Sequence, residues 1–267
     1  MATTTSHPPC PLVEAMKKNA TPYLTLPLQY EKPMLILGRE KLYDTMVIVK
    51  VGPSEKEFHI HKGLICHYSE FFRGAFKGGF QENEGVVTLD KDRVDVFQCF
   101  SNWLYTGKLL AEDQKFDLKK AGDSKHLFGI YVFAEARGIP RLKNEIVNHF
   151  LSSVVDQMCI PIIHIRYVYE NTPEKDRMRA LLVDIITRWS TVDVNSFFND
   201  ETRNTYPSEF LFDACKASIG STNAKKPDVS DEGCEKLNKC DYHDHTDINA
   251  PREPKPLTPA PTDNSTP

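Results

Sequence analysis

The chain has 267 residues, of which 33 are basic and 37 acidic, giving a formal net charge of -4 at pH 7, and 40% are hydrophobic. That length suits one or two ordinary domains and that apolar share supplies a core, while the near balance of charge offers no broad positive field for nucleic acid or anionic lipid. The 7 cysteines are odd in number and spread over the whole length, unlike the dense even framework of a small secreted domain, so they read as reduced thiols.

No basic start followed by an apolar run opens the chain, and no stretch has the roughly 18 consecutive apolar residues of a membrane span. A soluble protein of cytoplasm or nucleus, not secreted, is the expectation, with no membrane and no nucleic acid among its partners.

Residues 1–40 are rich in Thr and Pro and follow neither the helical nor the strand period, so they are expected to be largely disordered. From Met46 the run MVIVKV, the turn residues Gly52-Pro53-Ser54 and the alternating Lys56 to Ile60 predict a β-hairpin. Leu64 and Ile65 begin a helical patch. Ser69 is placed to cap a second helix carrying Phe71, Phe72, Ala75 and Phe76, which Gly78-Gly79 stop.

Val86 to Leu89 predicts a third strand, and Asp92 is expected to cap a helix whose Val96, Phe97, Phe100, Trp103 and Leu104 share one side up to Thr106-Gly107. Residues 108–124 read as a loop or insertion. Leu127 to Ala136 is a mostly apolar helix closed by Gly138, and Pro140 opens another that carries Leu142, Ile146, Val147 and Phe150. Met178, Leu181, Leu182, Ile185, Ile186 and Trp189 follow the pattern of an amphipathic helix within a helical extension over 151–215. Residues 216–267 have the composition of a disordered tail, unable to bury enough apolar area to offset chain entropy.

A few strands followed by a run of helices define an α+β class, with helices packed around a small sheet. Within it, several landmarks occur in a fixed order: Asp44 entering the first strand, Phe58 with His61-Lys62, Ser69-Glu70-Phe71-Phe72, the Val87 to Leu89 strand, Trp103-Leu104-Tyr105-Thr106-Gly107, and Tyr131 to Ile139. In order and spacing, residues 41–150 resemble the BTB/POZ family, and wording such as FKGGFQE and YVFAEARGIPRLKNE looks most like the small BTB proteins of filamentous fungi. The resemblance implies a noncatalytic module that binds other proteins as a scaffold or oligomerisation domain, with a cullin or another BTB protein as partner.

The site residues follow from that resemblance. Phe80-Gln81-Glu82 falls where BTB adaptors of cullin-type ubiquitin ligases carry an apolar residue, any residue, then an acid, which implies Phe80 as anchor and Glu82 at the rim. Asp44 and Lys62 are implied as a charged pair at the top of the fold. Phe58, Phe71, Phe72, Phe97 and Trp103 read as core, and His61 as a hydrogen-bonded structural residue.

No G-x-S-x-G elbow, phosphate loop, Rossmann fingerprint or H-E-x-x-H occurs, and the adjacent Cys66 and His67 would point about 100° apart on a helix, so no enzyme and no cofactor are expected. The alternative is a metal-binding protein that uses Cys234, Cys240, His243 and His245, donors within 12 residues that can in principle wrap one zinc ion. Their spacing, C-x5-C-x2-H-x-H, departs from common finger patterns. A polar tail with incidental thiols is therefore the preferred reading of them, and no metal is assigned.

Overall fold

The computed structural model describes residues 42–77, 85–111, 114–189, 194–221 and 237–246. Strands β1 (Met46–Val51) and β2 (Lys56–His61) form the expected hairpin, antiparallel, with Val49 opposite Phe58 and Val47 opposite Ile60. Alternation decides their faces: Val47, Val49, Val51, Phe58 and Ile60 are buried, while His59 faces solvent. Strand β3 (Val86–Leu89) adds to the other side of β1 in parallel, giving the order β2-β1-β3.

Helices α1 (Lys62–Tyr68) and α2 (Glu70–Lys77) follow the hairpin as a pair. Ser69 joins them as expected: its Oγ accepts from the Phe72 N–H at 3.3 Å, capping α2, and donates to the carbonyl of Arg137 at 2.6 Å. Helix α3 (Val94–Thr106) buries Val96, Phe97, Phe100, Trp103 and Leu104 and ends at Gly107, whose φ of 69° is the left-handed closure that glycine allows. Its Phe97 and Phe100 rings meet Phe58, Phe72 and Phe133 at centroid distances of 4.7 to 6.5 Å, the aromatic centre of the core.

Two local expectations are corrected by one residue, Arg137. Asp92 does not cap α3, whose N-terminal flank is Arg93; its carboxylate is drawn 2.5 Å from the Arg137 guanidinium. Phe71 is not core but 37% exposed, lying under that same guanidinium at 4.5 Å.

Helix α4 (Ala121–Ala136) starts six residues before the predicted Leu127, and helix α5 (Pro140–Gln157) packs against it. The loop before α4 is anchored by buried Leu109, Phe116 and Leu118. Beyond a short turn come α6 (Ile165–Asn171), α7 (Arg177–Trp189), α8 (Val194–Phe197) and α9 (Ser208–Ser221). Met178, Leu181, Leu182, Ile185 and Ile186 of α7 are fully buried, as their spacing predicts.

The stretch expected to be a disordered tail differs where it is described. Residues 216–221 complete α9, and Leu237 to Thr246 is docked across α5 and α7 around a 3-10 turn at Lys239–Tyr242. The docking is mostly polar. Tyr242 donates to Asp184 at 2.6 Å, Asn144 bonds both the N–H and the carbonyl of Asp244 at 2.7 and 2.9 Å, and the Lys143 ammonium reaches the Asp244 carboxylate at 3.3 Å.

Lys143, 6% exposed, also pairs with Glu135 and lies 3.6 Å from Asp176. Asp176 in turn accepts from the Tyr131 hydroxyl at 3.0 Å and from the Met178 N–H at 2.8 Å, which caps α7. One buried polar cluster thus joins α4, α5, α7 and the returning segment. No described helix is long and apolar enough to cross a membrane.

Candidate protein interaction surface

Three separate segments converge where β1 begins and β2 ends. Met46 is the cross-strand partner of His61, which also forms the N-terminal flank of α1, and Tyr105 arrives from the last turn of α3. The His61 N–H donates to the Tyr105 hydroxyl at 3.1 Å, and that hydroxyl faces the His61 Nδ1 at 3.0 Å, so His61 is held as the sequence suggests. The Tyr43 ring meets His61 edge-on at 5.1 Å and the Tyr105 ring at 5.9 Å from the same imidazole completes the group.

This group is open to solvent. Tyr43 is 50% exposed, Met46 48% and Tyr105 45%, although large side chains of this kind are normally turned inward. Tyrosines fixed by their neighbours offer amphipathic contact area with little rotamer entropy left to lose, and interface centres are enriched in Tyr and Met.

Asp44 and Lys62 flank the patch but do not form the expected charged pair. Asp44 is exposed; Lys62 places its ammonium 5.8 Å from the centre of the Phe76 ring, and its backbone N–H bonds the Thr45 carbonyl at 2.7 Å. Phe80, Gln81 and Glu82 lie outside the described residues. The sequence reading passed over Tyr43, Met46 and Tyr105 as surface residues. Met46 sits on the outward parity of β1, which alternation alone reveals, whereas Tyr105 is outward because α3 presents its Phe100 and Trp103 face to the core.

Elsewhere among the described residues the surface offers little chemistry. In an open depression lined by Pro53, Lys56, Asp92, Arg93 and Asp95, Arg93 pairs with Asp95, His126 lies 3.2 Å from Asp95, and Asp92 is taken up by Arg137. Burial tends to raise the Asp95 carboxyl, but the Arg93 bond and charge hold it below its usual range. Burial pushes the Cys99 thiol up to about 11, which leaves it protonated and inert at neutral pH. Cys66 Sγ is directed to the Phe72 carbonyl at 3.5 Å.

Of the tail donors, Cys240, His243 and His245 come together, their ligand-capable atoms all within 4.8 Å of one another. Cys234 lies outside the described residues. Burial, with smaller contributions from His245 and Lys239, lowers the His243 imidazole to about 4, so it is neutral at physiological pH.

A small three-stranded sheet wrapped by helices, with an exposed aromatic patch at one end of the sheet, defines an α+β domain. Residues 36–129 match the family model of the BTB/POZ domain, so the chain carries a BTB/POZ domain, as the landmarks from Asp44 to Ile139 imply. Such domains mediate protein-protein and oligomer contacts. The matched region ends within α4, so α5 to α9 and the docked segment lie beyond it. No curated protein matches the chain.

Proposed function

We propose that the protein is a noncatalytic scaffold whose BTB/POZ domain joins it to a second protein through the patch formed by Tyr43, Met46, His61 and Tyr105, with Asp44 and Lys62 at its rim. The observation that carries this reading is the exposure of three large side chains gathered around one fixed histidine. The partner is another BTB protein, in the first instance a second copy of this chain.

The test is the mass of the full chain in solution by sedimentation velocity. The expected result is self-association that Tyr43→Ser with Tyr105→Ser reduces to monomer while the circular dichroism spectrum is kept. A wild-type chain that is monomeric, and whose capture of other BTB proteins is the same with and without the two substitutions, ends this reading.

A finer reading makes the chain an adaptor for a cullin-type ubiquitin ligase through Phe80 and Glu82. It rests on the apolar-x-acid spacing alone. Affinity capture tests it: a cullin recovered by the wild-type chain and lost on Phe80→Ala with Glu82→Lys supports the adaptor, and recovery of no cullin by the wild-type chain removes it.

A further inference from the structure

We propose that Cys240, His243 and His245 form a zinc site that fixes the turn within residues 237–246. All three lie in one short stretch that begins in the 3-10 turn Lys239–Tyr242, and one donor atom from each falls within 4.8 Å of the others. A tetrahedral ion with Zn–S near 2.3 Å and Zn–N near 2.0 to 2.1 Å separates its ligands by roughly 3.4 to 3.7 Å, so the three donors need close by only about 1 Å to hold it. A thiolate with two imidazoles is a donor set that suits zinc, and three protein ligands leave a fourth position for water or a further donor.

An independent observation points to a ligand at the same place. His243 is 3% exposed, and its Nδ1 is buried with no hydrogen-bond partner among the described residues. Leaving a buried polar atom unsatisfied costs about 1 to 3 kcal/mol, which ordinary packing avoids. The other ring nitrogen, Nε2, sits 3.1 Å from the Asn148 Oδ1 on α5. A ring N–H given to a carbonyl fixes the tautomer and leaves a lone pair on Nδ1, the usual second-partner arrangement of a metal-binding imidazole.

The turn is also held on both sides by bonds that do not involve the three donors. Tyr242 is tied to Asp184 of α7, and Asp244 to Asn144 and Lys143 of α5. The donors are therefore brought together by the protein before any ion arrives.

The full chain, purified without chelator and without a histidine tag, is expected to carry one zinc per molecule by mass spectrometry. After the zinc is stripped, titration with cobalt(II) is expected to give the intense thiolate-to-cobalt charge-transfer band and the visible bands of a tetrahedral site. Cys240→Ser should abolish the charge-transfer band. His245→Ala, an exposed position, should weaken zinc binding at least tenfold with the far-ultraviolet circular dichroism unchanged. Asn148→Ala should weaken it by roughly 10- to 100-fold, the range typical of a lost orienting partner. A folded wild-type chain that takes up neither zinc nor cobalt overturns the proposal, as does zinc affinity that Cys240→Ser and His245→Ala leave unchanged.

Discussion

Lys143 and Glu145 lie two positions apart on α5 and meet opposite electrostatic problems. Burial works against the Lys143 charge, yet Glu135 first, then Asp176 and Asp244, raise its affinity for the proton above the ordinary lysine range. Replacing it with Met would leave the Asp176 carboxylate buried without its cation. A loss of about 3 to 5 kcal/mol is expected, measured by urea unfolding. Glu145 is pushed the other way: burial raises its carboxyl above the usual range, and the bonds from the Trp103 indole and the Leu109 N–H offset that only in part. A carboxyl raised in the folded state binds its proton more tightly there than in the unfolded chain. Its contribution to stability is therefore present below the unfolded value and lost as pH rises through the folded one. Glu145→Gln keeps an acceptor for Trp103 and removes that loss, so its melting temperature should exceed the wild type's at pH 7, with the advantage vanishing near pH 4. Equal melting temperatures at pH 7 would count against this account of Glu145.

At the scale of elements, the junction of α4 and α5 turns on Gly138. Its φ is 57°, and a Cβ added there would lie 3.1 Å from the Glu70 Cβ at the start of α2. The Gly138 carbonyl accepts from the Glu70 N–H at 3.2 Å, so the turn and the α2 N-terminus are fixed together. Gly138→Ala is expected to cost about 1 to 2 kcal/mol from the left-handed backbone alone, and more if Glu70 cannot yield, which thermal unfolding will show. The glycine was legible in the sequence as a helix stop, but not its contact with Glu70, which lies 68 residues away along the chain. The same division runs through the fold. Strands β1 and β2 and helix α7 were legible because each buries one face at a regular period. The cap expected at Asp92 and the core position expected of Phe71 failed because both depend on Arg137, a tertiary partner that no local pattern announces. Of the proposed interaction surface, His61 and Lys62 were placed near it by the family landmarks, while Tyr43 and Met46 carried no signal beyond their outward position.

At the scale of the whole molecule, the returning segment was the least legible part, because Leu237 and Tyr242 are its buried apolar anchors and its polar ties to the rest of the fold reach residues on α5 and α7. Deleting residues 237–267 should therefore leave a folded chain that unfolds at a lower temperature. Loss of the buried Tyr242 and Leu237 side chains alone removes about 1.5 to 3 kcal/mol each. Calorimetry on the shortened chain checks this, and an unchanged midpoint would mean that the segment contributes no stability. Helix α5 has a further consequence. Its 18 residues, about 27 Å at 1.5 Å per residue, meet the BTB/POZ region near the start, where Glu145 bonds Trp103, and again at the end, where Asp156 pairs with Lys115 and Gln157 donates to the Phe116 carbonyl. Fastened at two points to one body, the helix acts as a brace, and a substitution that bent it would strain both fastenings at once.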